Sequence, residues 1–115
     1  MACNNCQNFH VSTGLTYTAG TSLIIATTNS TNIASKQPFC FVVKSSDNIS
    51  NTVTGDPVNV FLTVNGNSAN LYNKYHLPVT SDELTCRKLY KGYYVNDGTN
   101  AWVELVNLPF CSCNN

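Results

Sequence analysis

Short runs in which apolar and polar residues alternate dominate this chain, and the clearest run extends from Val58 to Val64, where every second residue is Val or Leu. Alternation with a period of two is typical of a strand that buries one face. Asn65 and Gly66 follow, and both residues tolerate the positive φ of a two-residue hairpin turn. Apolar residues return over 69–72. The pattern therefore predicts a β-hairpin.

Other segments also favour strands, because β-branched and aromatic residues are bounded by Gly, Asn, Asp, Ser and Pro. No window of eleven residues repeats apolar residues at helical spacing. Besides the hairpin, strands are predicted at Gly14–Thr18, Ser22–Thr27, Phe39–Lys44, Leu89–Val95 and Ala101–Val106. The sequence therefore predicts an all-β fold, a small antiparallel sandwich or a partly open barrel of about seven short strands.

Two of the connections between strands carry signals of their own. The polar stretch Ser45–Pro57 predicts a surface loop that holds a short edge strand. Thr80 is followed three residues later by Glu83, which is the spacing of a capping box, and this predicts at most one helical turn near Thr80–Leu84. Any strand left at a sheet edge would be open to pairing with a neighbouring molecule.

The length of 115 residues and the apolar fraction of 43% are enough for one folded core. We expect a single β domain over 1–115 whose terminal segments, 1–10 and 108–115, carry cysteines. The formal net charge is zero, and the one tight basic group is Arg87, Lys88 and Lys91, so nucleic acid is not expected as a partner.

The ends and the apolar runs bear on cellular location. Residues 1–10 show neither a basic segment nor the apolar stretch of a secretion signal, so synthesis in a cytoplasm is expected. No apolar run approaches the ~20 residues that a spanning helix needs, so no membrane partner is expected.

Four of the six cysteines bracket the chain as two close pairs, Cys3 with Cys6 and Cys111 with Cys113. If the termini meet, four thiolates would form a tetrahedral zinc site. Ordinary thiols or terminal disulfides explain the same pattern, and in a reducing cytoplasm thiols or metal thiolates are favoured at synthesis, with oxidation open after release. Cys40, between two phenylalanines, is typical of a small buried apolar residue.

No residue pattern in the chain predicts a reaction. His10 and His76 are the only histidines, and neither lies in a catalytic motif, so both are predicted to be turn or surface residues. Most carboxylates fall in predicted turns, where they cap backbone N–H groups. The sequence therefore favours a protein that is not an enzyme and has no cofactor beyond the zinc considered above.

Aromatic residues are concentrated in the second half of the chain. Tyr93 and Tyr94 are adjacent on one predicted strand, so their side chains must point to opposite faces, and Trp102 lies on the next strand. These three residues are candidates for an interface, because aromatic side chains are enriched where proteins meet. Cross-strand packing in the core is the alternative.

The segment Val58–Val95 also resembles a family of small β-rich proteins encoded among phage and prophage virion genes. His76 and Leu77 stand where that family would have a Gly-Asn-like turn. The matching residues are Thr63-Val64-Asn65-Gly66, Leu71, Asn73, Pro78-Val79, Asp82, Leu84, Arg87 and Tyr90.

The resemblance implies a virion structural component, such as a capsid decoration or cement protein, with no catalytic residues. Its expected partners are copies of itself and a major capsid protein, and its expected location is the virion. Two alternatives remain open: an extracellular fibre or appendage subunit cross-linked by terminal cysteines, and a small binding module stabilised by zinc.

Overall fold

Seven strands form a closed barrel in this protein, whose computed structural model describes residues 9–27, 33–85 and 87–106. Around the barrel the strands follow the order β1-β2-β4-β5-β7-β6-β3, and β3 then pairs with β1. The strands are β1 (Phe9–Thr18), β2 (Ser22–Thr27), β3 (Gln37–Val42), β4 (Asn59–Val64), β5 (Asn67–Tyr72), β6 (Leu89–Asn96) and β7 (Ala101–Leu105).

The predicted all-β class and the small barrel are confirmed, but the barrel is closed and not purely antiparallel. Strands β1–β2, β4–β5, β6–β7 and β3–β6 pair antiparallel, and three parallel pairs, β1–β3, β2–β4 and β5–β7, complete the wall. Parallel pairing requires long connections, which local alternation does not reveal. Each described strand has two neighbours around the barrel, but β1 pairs with β3 only over residues 9–11, so within the described pairing its residues 14–18 are paired with β2 alone.

The predicted hairpin is confirmed as β4 and β5, joined by Asn65 and Gly66 with φ of 54° and 82°. Alternate residues of all seven strands point into the barrel, where aliphatic and aromatic side chains pack together. The fully buried side chains include Leu23, Ile25, Phe41, Leu62, Val64, Val103 and Leu105.

Two short helical turns cover connections between strands. The predicted turn is confirmed as the 3₁₀ turn Ser81–Glu83, where a carboxylate oxygen of Glu83 accepts from the Thr80 N–H at 2.8 Å. The predicted edge strand within Ser45–Pro57 is wrong, because a single turn, α1 (Ile49–Thr52), lies there instead. The Asn48 side chain caps it by accepting from the Asn51 N–H at 3.0 Å.

Strand β1 begins earlier than predicted and carries polar side chains into the barrel. His10 and Ser12 are 2% and 0% exposed, so the prediction that His10 is a turn or surface residue is wrong. The His10 Nδ1 lies 3.2 Å from the Thr27 hydroxyl oxygen, and the Ser12 hydroxyl donates to the Asp47 carboxylate at 2.6 Å. Burial lowers the pKa of His10, since the interior disfavours the charged ring.

Candidate functional site

The outer wall of β5, β7 and β6 carries a row of large side chains that points away from the core. Tyr72, Glu104 and Tyr93 are direct neighbours across these three strands. Trp102 lies one row along, two residues before Glu104 on β7. Their strand neighbours Leu71, Val103 and Tyr94 are buried inside, so period-two alternation places the row on the outside. We call Tyr72, Tyr93, Trp102 and Glu104 the aromatic face.

The two adjacent tyrosines of β6 separate as the alternation requires. Tyr93 is 46% exposed on the aromatic face, whereas Tyr94 is 2% exposed and points into the barrel. The hydroxyl of Tyr94 accepts from the side-chain amide of Asn96 at 3.1 Å, which satisfies it at the barrel end. The prediction that Tyr94 is an interface residue is therefore wrong, because its ring cannot reach a partner. Tyr93 and Trp102 remain interface candidates.

His76 stacks against this face from a neighbouring turn. Its ring centroid lies 4.6 Å from that of Tyr72 and 5.9 Å from that of Trp102, and its Nδ1 lies 3.3 Å from a Glu104 carboxylate oxygen. The pair is open to solvent, with side chains 57% and 35% exposed for His76 and Glu104. The indole N–H of Trp102 is buried without a hydrogen-bond partner in the described part of the chain, so packing alone orients that ring.

One asparagine side chain organises the turn that carries His76. The Asn73 side-chain oxygen accepts from the N–H groups of Tyr75 and Leu77 at 2.9 and 3.1 Å. The Asn73 N–H in turn donates to the Leu77 carbonyl at 2.9 Å, which closes the loop. His76 adopts a φ of 61°, which is uncommon for a residue other than glycine. Tyr75 and Leu77 consequently project into solvent, 64% and 57% exposed.

An open groove of about 480 Å³ continues the face toward the end of β7. Tyr93, Val95 and Val106 supply its apolar lining, and Lys36 and Lys74 lie at its polar positions with Glu104. Apolar and aromatic lining with a few polar groups is typical of surfaces that contact a partner.

His76 and Glu104 are within hydrogen-bond distance of each other on this face. Glu104 orients the imidazole of His76, which resembles half of a catalytic arrangement. Among the described residues, the side chain of His76 contacts a carboxylate and two aromatic rings but no hydroxyl or thiol that would act as a nucleophile. The pair also lies on an open surface, where a charged intermediate would be well solvated.

A second groove, of about 370 Å³, is lined by residues of α1, of the loop that follows it and of the 3₁₀ turn. Ile49, Val53 and Leu84 form its floor and Pro57 lies at its wall. Asp82, which is exposed, supplies a carboxylate at its rim. We call these residues the acidic groove.

The predicted metal ligands Cys3, Cys6, Cys111 and Cys113 lie outside the described residues, so zinc binding stays a prediction. Within 9–27, 33–85 and 87–106, no three metal-ligating side chains cluster. Cys40 is buried, as predicted, and it is also disulfide-bonded, which its position between two phenylalanines did not indicate. Its partner lies outside the described residues.

Sequence reasoning missed two parts of the site. The antiparallel β6–β7 pair places Glu104 beside Tyr93, but Tyr72 joins them only because β5 and β7 pair in parallel, and no local signal predicts that pairing. The turn held by the Asn73 side chain could have been predicted from the sequence, because Asn side chains commonly accept from backbone N–H groups two residues ahead.

Comparison with known proteins returns no matching family model, curated protein or solved structure. No helix in the described part of the chain has the length and apolar character to cross a membrane.

Proposed function

We propose that this protein is a non-enzymatic structural subunit of a virion that decorates or cements a capsid shell by packing against it. The observation that carries the proposal is the aromatic face, where Tyr93 is 46% exposed and is flanked by Glu104 and the half-buried Trp102. Exposed large apolar groups on an otherwise well-packed barrel are a sign of an interaction surface. The resemblance of Val58–Val95 to virion proteins supports a capsid as the scaffold.

The physical chemistry of the surface suits this role. With no net charge, the chain has no long-range field to steer it toward a charged polymer. Tyrosine and tryptophan supply large, stiff contact areas with polar tips, which explains their enrichment at interface hot spots. The closed barrel adds rigidity, because every described strand is held by two neighbouring strands. We therefore expect the protein to attach to its partner by burying the side chains of the aromatic face.

The test is co-sedimentation with virus particles purified from the source culture on a density gradient, combined with immunogold labelling of the same particles. We expect wild-type protein to band with particles and gold to mark their heads. Replacing Tyr93 by Ala should weaken particle binding about tenfold or more, because it removes an exposed hot-spot ring.

The matched control is Phe9→Ala, which removes another exposed aromatic side chain, 54% exposed, from β1 outside the aromatic face. Its particle binding should equal that of the wild type. Absence of the protein from all particle fractions would overturn the virion proposal. Equal binding by wild type and Tyr93→Ala would overturn the assignment to the aromatic face.

A second candidate, an extracellular fibre or appendage subunit, is supported by the disulfide at Cys40. Disulfides persist in oxidising environments and are rare in the cytoplasm. If the terminal cysteines link copies, native material should give a ladder on a non-reducing gel that collapses with reductant. A single monomer band without reductant would remove this candidate.

A further inference from the structure

We infer that copies of this chain associate head to tail, with the turn that carries Tyr75 inserting into the acidic groove of a second copy. The inference rests on the proposed role in assembly and concerns Tyr75, whose turn borders the aromatic face through His76 and Lys74. Its occupant is a second copy, because one sequence carries both an exposed ring accompanied by a cation and an apolar groove that holds a carboxylate.

The projecting element is the turn 74–77, held by the Asn73 side chain. Tyr75 and Leu77 lie two residues apart on this turn and are 64% and 57% exposed. The ammonium of Lys74 lies 5.4 Å from the centroid of the Tyr75 ring, so a positive charge accompanies the ring. The hydrogen bonds of Asn73 make the turn a preorganised projection, which lowers the entropy lost on insertion.

The receiving element is the acidic groove, with a volume of about 370 Å³ and an apolar floor. Asp82 at its rim is exposed, and its described hydrogen bond comes from the Thr80 hydroxyl, a neutral donor. Since Tyr75 is 64% exposed, it does not occupy the groove of its own molecule. An exposed apolar side chain and a distinct apolar groove on one molecule are the parts of a heterologous contact, which generates rings or filaments.

Charge sets the orientation of this contact. Insertion of Tyr75 brings Lys74 of one copy to the groove rim, where Asp82 of the next copy lies. Among the described residues, neither Lys74 nor Asp82 forms a salt bridge. An exposed pair adds little affinity, so the apolar contact supplies most of the binding and the charges exclude the reverse orientation.

Sedimentation velocity on the full chain, after alkylation of free thiols, tests this by charge exchange. Wild-type protein should form oligomers that grow with concentration. Lys74→Glu places two acids together and Asp82→Lys places two bases together, so each variant alone should associate about tenfold more weakly. An equimolar mixture should recover wild-type association, because each interface then regains one acid and one base.

Two further variants complete the test, with circular dichroism to confirm that every variant is folded. Tyr75→Ala should lose association in all combinations. Lys44→Glu, the same charge change at an exposed lysine that belongs neither to the turn 74–77 nor to the residues lining the groove, should associate like the wild type. A monomeric wild-type chain, or a mixture that associates no better than its two components, would overturn the inference. Particle binding through Tyr93 would survive either result, so the two proposals fail separately.

Discussion

Replacing Gly92 by Ala should destabilise the barrel at the seam that builds the aromatic face. A Cβ placed on Gly92 would lie 2.3 Å from the Glu104 carbonyl oxygen, 3.0 Å from its carbon and 3.1 Å from the Leu105 Cα. All three are backbone atoms, so no side-chain rotation relieves the overlap. Ordinary contact begins near 3.4 Å. Strand β7 would therefore have to move by roughly 1 Å to restore normal packing density.

The closed wall makes that movement costly, because β7 is also paired with β5. Overpacking of a well-packed interior costs ~1–3 kcal/mol, and a weakened ladder hydrogen bond costs a further ~1 kcal/mol. We expect Gly92→Ala to lower the free energy of unfolding by about 3 kcal/mol. At a denaturant sensitivity of ~1–3 kcal/mol/M, the urea midpoint should fall by at least ~1 M.

Urea unfolding followed by circular dichroism measures this change, with Gly14→Ala as the matched control. A Cβ on Gly14 meets nothing within 4 Å, so its free energy of unfolding should stay within ~1 kcal/mol of the wild type or rise slightly. If Gly92→Ala and Gly14→Ala unfold at the same urea concentration, the close approach of β6 and β7 does not constrain the fold and this reasoning fails.

Three other predictions follow from single contacts. Asn73→Ala removes the acceptor for the N–H groups of Tyr75 and Leu77, so it should lower the free energy of unfolding, measured in urea, by ~1–3 kcal/mol and weaken self-association. Equal association by the variant and the wild type would show that the turn does not need these hydrogen bonds. The pKa of His10 is lowered in the folded state, so the unfolded state binds more protons than the folded state as pH falls through the ordinary value of 6.5. The free energy of unfolding should therefore decrease below that pH and level off above it. His10→Gln should flatten this pH profile, and an unchanged profile would contradict the assignment to His10. Reduction of the Cys40 disulfide should lower the free energy of unfolding by ~2–4 kcal/mol, and reductant should change this free energy less in Cys40→Ser than in the wild type. An equal change in both proteins would show that the disulfide does not stabilise the fold.

Local pattern predicted more of the fold than of the site. Alternation and the Asn65-Gly66 turn located the β4–β5 hairpin, because strand period and hairpin geometry depend on residues close in sequence. The same alternation required Tyr93 and Tyr94 to face opposite ways but did not say which faced outward, since that depends on which side of β6 the core occupies.

The sequence by itself determined an all-β chain, its hairpins, the helical turn after Thr80 and the concentration of aromatic side chains in the second half. Only the tertiary structure decided that the barrel closes through parallel pairs, that Glu104 lies between Tyr72 and Tyr93, and that His10 is buried. The reason is physical: turns and strand periods are fixed by near neighbours, whereas pairing between distant strands depends on how the whole set of apolar faces is buried together.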